Sequence, residues 1–378
     1  MINAAWSLQT LELTERGLFL LFACFMAVWI LALGAAIGSF LNVIIYRLPR
    51  GMSLIHPTSR CPACQTPIRP IDNIPILAWL RLRGRCRACG APISIRYPIV
   101  EGLIAILLFA LAWCEIHAGG INLPGSQAEH VVSSALRWKI DALDLFRTGY
   151  HGFLLVAAVA LAYIAWDGFP PPRRLMAAAL IAGIVTPLFA PAVWPVESGI
   201  PRVFSRILLH SGWGIRLDVN ALAIAASGLA SGVLAGALLG IAAIRRYDLA
   251  GIVCLASLAG LYLGWQALIT YAPIAGILAL MTAGISRSTA RPIPATVACA
   301  WALIAQVFGW RRLAGIIQEL AGGTQPFSTS AVVAILAAIV LTIIPVVLAR
   351  VVLSTIPARL IRNGDSRNHD HTRDLGEA

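Results

Sequence analysis

The feature that most constrains this chain is the recurrence of apolar stretches long enough to cross a bilayer. A hydrocarbon core of roughly 30 Å takes about 20 apolar residues of helix. The backbone inside it must satisfy its own hydrogen bonds, which favours helical spans. Such stretches cover approximately Leu18–Tyr46, Ile99–Cys114, Gly149–Trp166, Leu175–Trp194, Ala221–Ile244, Leu249–Leu268, Tyr271–Ile285, Pro294–Trp310 and Ser330–Leu353. They predict an all-α polytopic membrane protein of about nine transmembrane helices, with one soft boundary between Thr270 and Pro273. Composition agrees: 59% of the 378 residues are hydrophobic and 12% charged, far from a soluble domain. The first stretch is too long for a cleavable signal peptide, and no positive leader precedes it.

The net charge of +12 comes from arginines in short loops between apolar stretches, which records orientation and not nucleic-acid binding. Nine arginines lie between Arg47 and Arg96, and the pairs Arg173/Arg174, Arg245/Arg246 and Arg287/Arg291 follow later spans. With alternating helices all four groups share one side. The positive-inside rule assigns that side to the cytoplasm of a bacterial inner membrane, leaving the N-terminus periplasmic and the tail Ile356–Ala378 inside. Arg311 and Arg312 fall on the other face. The expected partner is therefore the lipid bilayer, with no nucleic acid. Two long outer loops are expected, Glu115–Tyr150 and Pro195–Asn220, and the amphipathic piece Ala135–Phe146 is expected on the membrane surface. No internal repeat or low-complexity tract is evident. The expected organisation is an N-terminal helix (1–46), a loop domain (47–98), a membrane-embedded helical domain (99–353) and a polar tail (354–378).

Four of the eight cysteines, Cys24, Cys114, Cys254 and Cys299, stand singly in or beside apolar stretches and behave as small hydrophobes. The other four form Cys61-Pro-Ala-Cys64 and, after 21 residues, Cys86-Arg-Ala-Cys89. Two such pairs supply the tetrahedral sulfur cage that zinc prefers, and Arg60, Arg85 and Arg87 favour thiolates. Two disulfides or a redox pair are the alternatives. A cytoplasmic location disfavours the first, and four sulfur ligands leave no open position, so the expected zinc is structural.

Around the cysteines the text becomes distinctive: Gly38-Ser-Phe-Leu-Asn-Val-Ile-Ile-Tyr-Arg-Leu-Pro49, Asn73-Ile-Pro-Ile-Leu-Ala-Trp79, Arg83-Gly-Arg-Cys86 and Ile93-Ser-Ile-Arg-Tyr-Pro-Ile-Val-Glu101. These runs resemble the type IV prepilin leader peptidase/N-methyltransferase family, densely from about Gly34 to Gly102. Agreement thins afterwards, returning at Ile164–Leu175, Asp248–Trp265 and Arg291–Pro294. The resemblance implies an integral-membrane aspartic endopeptidase that cleaves leaders from prepilins or pseudopilins in type IV pilus or type II secretion systems. It also implies possible methylation of the new N-terminus with S-adenosylmethionine as cofactor.

Of 17 carboxylates, three sit at apolar boundaries on the expected inner side: Glu101, Asp167 and Asp248. Ionisable groups there are costly and mark function by default. An interfacial ion pair is the plainer reading of Asp248, which follows Arg245 and Arg246. Glu101 suits the start of a helix. The resemblance places Asp167 and Asp248 where the family carries its two catalytic aspartates, which share a proton while one activates water. The family's second aspartate lies in Gly-x-Gly-Asp-x-Lys, whereas this chain reads Arg245-Arg-Tyr-Asp-Leu-Ala250. At the first site Ile164-Ala-Trp-Asp167 and Pro170-Pro-Pro-Arg-Arg174 stand where the family reads Ile-Asp-x-Asp and Leu-Pro-Asp. These departures motivate an alternative: a catalytically degenerate, zinc-bearing membrane assembly factor of a pilus or type II secretion system.

Overall fold

A computed structural model of the chain describes residues 2–56, 58–124, 141–194, 220–243, 245–289, 292–320 and 329–354. The expected loop Pro195–Asn220 up to its last residue, the first half of Ala135–Phe146 and the tail Ile356–Ala378 lie outside these. The described residues are helical throughout the bundle and contain no strand. The helices are α1 (Ile2–Arg47), a short α2 (Leu77–Arg81), α3 (Arg96–Ala112), α4 (Ala142–Trp166), α5 (Arg173–Phe189), α6 (Asn220–Leu239), α7 (Arg246–Leu263), α8 (Leu268–Thr289), α9 (Ala295–Leu320) and α10 (Thr329–Ser354).

Each of the nine expected stretches overlaps a long helix, although Leu249–Leu268 runs across the break after α7 and Leu175–Trp194 runs past the end of α5. Among the described residues, six segments are long and apolar enough to cross a membrane: Leu20–Arg47, Arg96–His117, Ala142–Trp166, Asn220–Ala242, Arg246–Leu263 and Trp265–Ser288. The division after α7 falls at Gly264 and not between Thr270 and Pro273. Gly264 takes φ +84, which side-chain-bearing residues resist. Pro273 sits in the second turn of α8, close to the helix start. Glu115 is also not a loop residue. It belongs to a single π turn, Trp113–His117, that prolongs α3.

Packing follows small residues. Gly34 and Gly38 of α1 face the backbone of α3 so closely that an added Cβ would lie 2.7 Å from the Cα of Ala105 and of Glu101 respectively. This four-residue spacing of glycines is how membrane helices bring backbones together. Leu41 and Ile45 of α1, Val100 and Ile104 of α3, and Val159, Ala160 and Ile164 of α4 fill the space beside that contact. The larger core is built on α4 and α7, whose Leu154, Leu155, Ile252, Leu255, Leu258 and Leu261 are fully buried.

Contacts at the two ends fix the helix directions. Tyr150 near the start of α4 stacks on Tyr262 near the end of α7, with ring centroids 4.3 Å apart, so α4 and α7 are antiparallel. His151 meets Trp310, in the C-terminal half of α9, at 6.2 Å. The ends opposite these contacts carry the cysteine loop.

Candidate functional site

The four cysteines that the sequence singles out come together. Their Sγ atoms all lie within 4.8 Å of one another, and Cys61 and Cys89 approach to 3.8 Å. A tetrahedron of Zn–S bonds of about 2.3 Å has edges of about 3.8 Å, so the donor set and spacing fit zinc.

The two pairs are copies of one turn. Cys61 N–H donates to Thr66 O at 3.1 Å and Gln65 N–H to Cys61 O at 2.9 Å; Cys86 N–H donates to Ala91 O at 2.8 Å and Gly90 N–H to Cys86 O at 2.9 Å. Arg60 bridges to Pro67 and Arg85 to Pro92 in the same way. The repeat was legible, since Arg-Cys-x-Ala-Cys-x-x-Pro-Ile occurs at both places, and it corrects the expectation of no internal repeat. Both turns close with positive φ, +56 at Gln65 and +73 at Gly90. A hydrogen bond with the Thr66 side chain, followed by one from its backbone, holds the Cys64 thiol down to about 6, whereas Cys89, despite a backbone hydrogen bond at Ala91 that lowers it, is pushed up to about 11 by its bond with Cys64.

Asp72 clamps this unit. One carboxylate oxygen accepts from Arg81 and Arg87, both at 2.7 Å, and the other from Arg87 Nε at 2.8 Å. Its carboxyl is held at about 2, first by the hydrogen bonds from Arg87. A depressed carboxylate stabilises the fold above the ordinary carboxylate range and loses its contribution only as pH falls through about 2. The clamp is therefore intact wherever thiolates can hold a metal. Replacing Asp72 with Asn should speed zinc loss to a chelator severalfold at neutral pH, followed with a colorimetric zinc indicator.

The loop is fastened to the bundle by residues of the distinctive runs. Asn42 Nδ2 donates to Tyr97 O at 3.2 Å, Trp79 Nε1 to Ile93 O at 3.0 Å, and Ile76 N–H to Glu101 Oε2 at 2.7 Å. Glu101 is thus occupied in anchoring the loop.

The structure gives Asp167 and Asp248 separate partners. Asp167 ends α4, where Gly168 at φ +81 and the bonds Gly168 N–H to Ala165 O and Phe169 N–H to Ile164 O, both 3.0 Å, close the helix. Its two oxygens accept from Arg96 at 2.6 and 2.9 Å. Asp248 lies in the first turn of α7 and is 1% exposed. Its oxygens accept from the N–H groups of Ala295 and Thr296 at 3.1 and 2.9 Å, and from the Thr296 hydroxyl at 2.7 Å. Asp248 therefore caps the start of α9 across the helix interface, accepting from N–H groups that the first helical turn leaves without a partner inside α9. Asp167 and Asp248 stand 17 and 14 residues from the Tyr150–Tyr262 stack, or about 25 and 21 Å along antiparallel axes, which puts both at the cysteine-loop end. The sequence reading missed Arg96 and Thr296 as their partners.

A further polar centre lies at the opposite end. Glu115 Oε1 meets His151 Nδ1 at 2.7 Å with both side chains fully buried, and accepts from Asn122 Nδ2 at 3.2 Å. Asn122 also bonds Val307 O and Arg311 N, tying the π turn to α9.

Comparison with known proteins finds similarity in the stretch that carries the cysteine loop. Residues 32–115 fit the bacterial peptidase A24 N-terminal domain, the stretch that holds the α1–α3 contact and the cysteine loop. Over that stretch the chain is similar to prepilin leader peptidase/N-methyltransferases. A prepilin leader peptidase/N-methyltransferase of Myxococcus xanthus is 52% identical over 89 residues, covering 24% of this chain and 27% of that protein. A type 4 prepilin-like proteins leader peptide-processing enzyme of Escherichia coli is 48% identical over 102 residues, covering 22% and 38%. A prepilin leader peptidase/N-methyltransferase of Pseudomonas putida is 36% identical over 135 residues, covering 30% and 44%. The chain thus spans less than half the length of these curated relatives. No solved structure matches it.

Proposed function

We propose that this chain handles prepilins or pseudopilins at the inner face of the bacterial inner membrane, and does so without cutting them. The A24 N-terminal unit, with its zinc-type loop fastened to α1 and α3, engages the substrate at the membrane surface, and the remaining helices act as an assembly scaffold. The observation that carries the non-proteolytic part is the occupancy of the two carboxylates. A protease dyad needs two acids within a few Å sharing one proton. Here Arg96 engages both oxygens of Asp167, and the α9 N-terminus with Thr296 engages both of Asp248. Each carboxylate therefore has donors of its own from a different element. Zinc bound by Cys61, Cys64, Cys86 and Cys89 would supply structural cross-linking only, since four thiolates fill its coordination sphere.

One observation favours the other reading, an active aspartic endopeptidase with Asp167 and Asp248 as its acids. Both lie at the same end of antiparallel α4 and α7, so a shift of α9 and of Arg96 would free them toward one another. Purified full-length chain incubated with a cognate prepilin, with and without S-adenosylmethionine, separates the two. Binding without leader cleavage or methyl transfer is expected. Cleavage that disappears in both Asp167→Asn and Asp248→Asn would establish the peptidase instead.

A further inference from the structure

The loop between the two cysteine pairs carries an apolar surface that its own fold leaves uncovered. Ile71 is 53% exposed, Leu77 63% and Leu80 58%. In a water-facing loop these side chains would be an aggregation liability. Their height relative to the membrane is fixed by one bond. Ile76 N–H donates to Glu101 Oε2, and Glu101 lies five residues inside the segment Arg96–His117 that is long and apolar enough to span. At 1.5 Å per residue, Ile76 is held about 7 Å below the start of that span. Ile76 also reaches Gly102, where an added Cβ would meet its Cδ1 at 3.9 Å. Ile76 has φ +61, so the chain turns sharply there and enters α2. The surface also continues onto lipid-facing residues of the same span, with Tyr97 48% and Ile99 51% exposed.

We propose that the segment Pro70–Arg81 is a wedge that sits in the acyl–headgroup boundary of the bilayer, with Ile71, Leu77 and Leu80 in lipid and arginines at the anionic headgroups. Charge complementarity supports this occupant. Arg69 stands at the head of the Pro70–Asn73 turn, and Arg83 follows the end of α2. Asp72, the one acid between Arg47 and Glu101, is turned inward onto Arg81 and Arg87. An apolar face edged by arginine is the composition of an interfacial anchor. The wedge would keep the metal centre at the bilayer surface, whatever the chain does to its substrate.

The test uses the full chain in nanodiscs of phosphatidylcholine and phosphatidylglycerol. An environment-sensitive fluorescent amino acid is placed at position 77 or 80, or at the control position 88 in the second cysteine turn. Lipids brominated on their acyl chains should quench positions 77 and 80 at least about twofold more than position 88. Leu77→Glu with the reporter at 80 should return quenching to the control level while zinc content stays unchanged. Equal, weak quenching at all three positions overturns the proposal. Quenching at 77 and 80 that is absent until a prepilin peptide is added assigns the face to substrate, and overturns it also.

Discussion

The double replacement Cys61→Ser and Cys86→Ser should abolish metal binding, reducing about one zinc per wild-type chain to a trace, measured by plasma emission on detergent-purified protein. The reason for so large an effect is that the loop has almost nothing else holding it together. Between residues 58 and 95 only Cys61, Ala78 and Gly84 are buried, so there is no apolar core to offset the entropy of ordering nearly forty residues. Structural zinc contributes on the order of 10–16 kcal/mol in small metal-folded units, far more than the Asp72 clamp or the Trp79 and Asn42 bonds. Limited proteolysis should therefore cut the variant within 58–95 while helix content by circular dichroism stays near wild type, because the bundle core on α4 and α7 shares no residue with the loop. Wild-type zinc in the variant, or wild-type protease resistance without zinc, would refute the metal-folded reading.

What the sequence disclosed follows the range over which each signal acts. Membrane helices are local in origin, since about twenty apolar residues suffice; all nine expected stretches overlap helices, and six segments among the described residues are long and apolar enough to span. The cysteine pairs are nearly as local, because each turn is closed within ten residues and the spacing alone points to metal. The aspartates were visible as candidates, but their chemistry depends on partners 71 residues away for Asp167 and 48 away for Asp248. Helix packing brings those partners in, and no periodicity encodes it. The break at Gly264 was misplaced because Pro273 is the louder signal along the chain, although a proline near a helix start costs little. Glu115 looked like a loop acid because it ends an apolar run. Its pairing with His151, 36 residues on, depends on an extra π-turn residue that apolar pattern does not show.

The same dependence on packing makes a glycine seam the second place where one substitution should have a large effect. Gly228, Gly232 and Gly236 of α6 recur every four residues and face Gly260, Ala256 with Ser257, and Val253 of α7 in turn. A Cβ on Gly228 would collide with the carbonyl of Gly260, one on Gly232 with the carbonyl of Ala256, and one on Gly236 would lie 2.7 Å from Val253 Cα. The obstacles are mainly backbone, so no rotamer change relieves them. Gly228→Leu must push α6 off α7, and α7 is the helix whose Leu255, Leu258 and Leu261 fill the centre of the core. Overpacking a tight site costs about 1–3 kcal/mol when side chains can adjust. Backbone against backbone should exceed that, giving a variant that unfolds well below wild type in a detergent thermal-shift assay, or one recovered only as aggregate. Gly284→Ala in α8 is the matched control, because nothing lies within 4 Å of its added Cβ and alanine is the better helix former by about 1 kcal/mol. It should be neutral or stabilising. Equal behaviour of the two variants would mean that the α6–α7 contact is not made through these glycines in the folded protein.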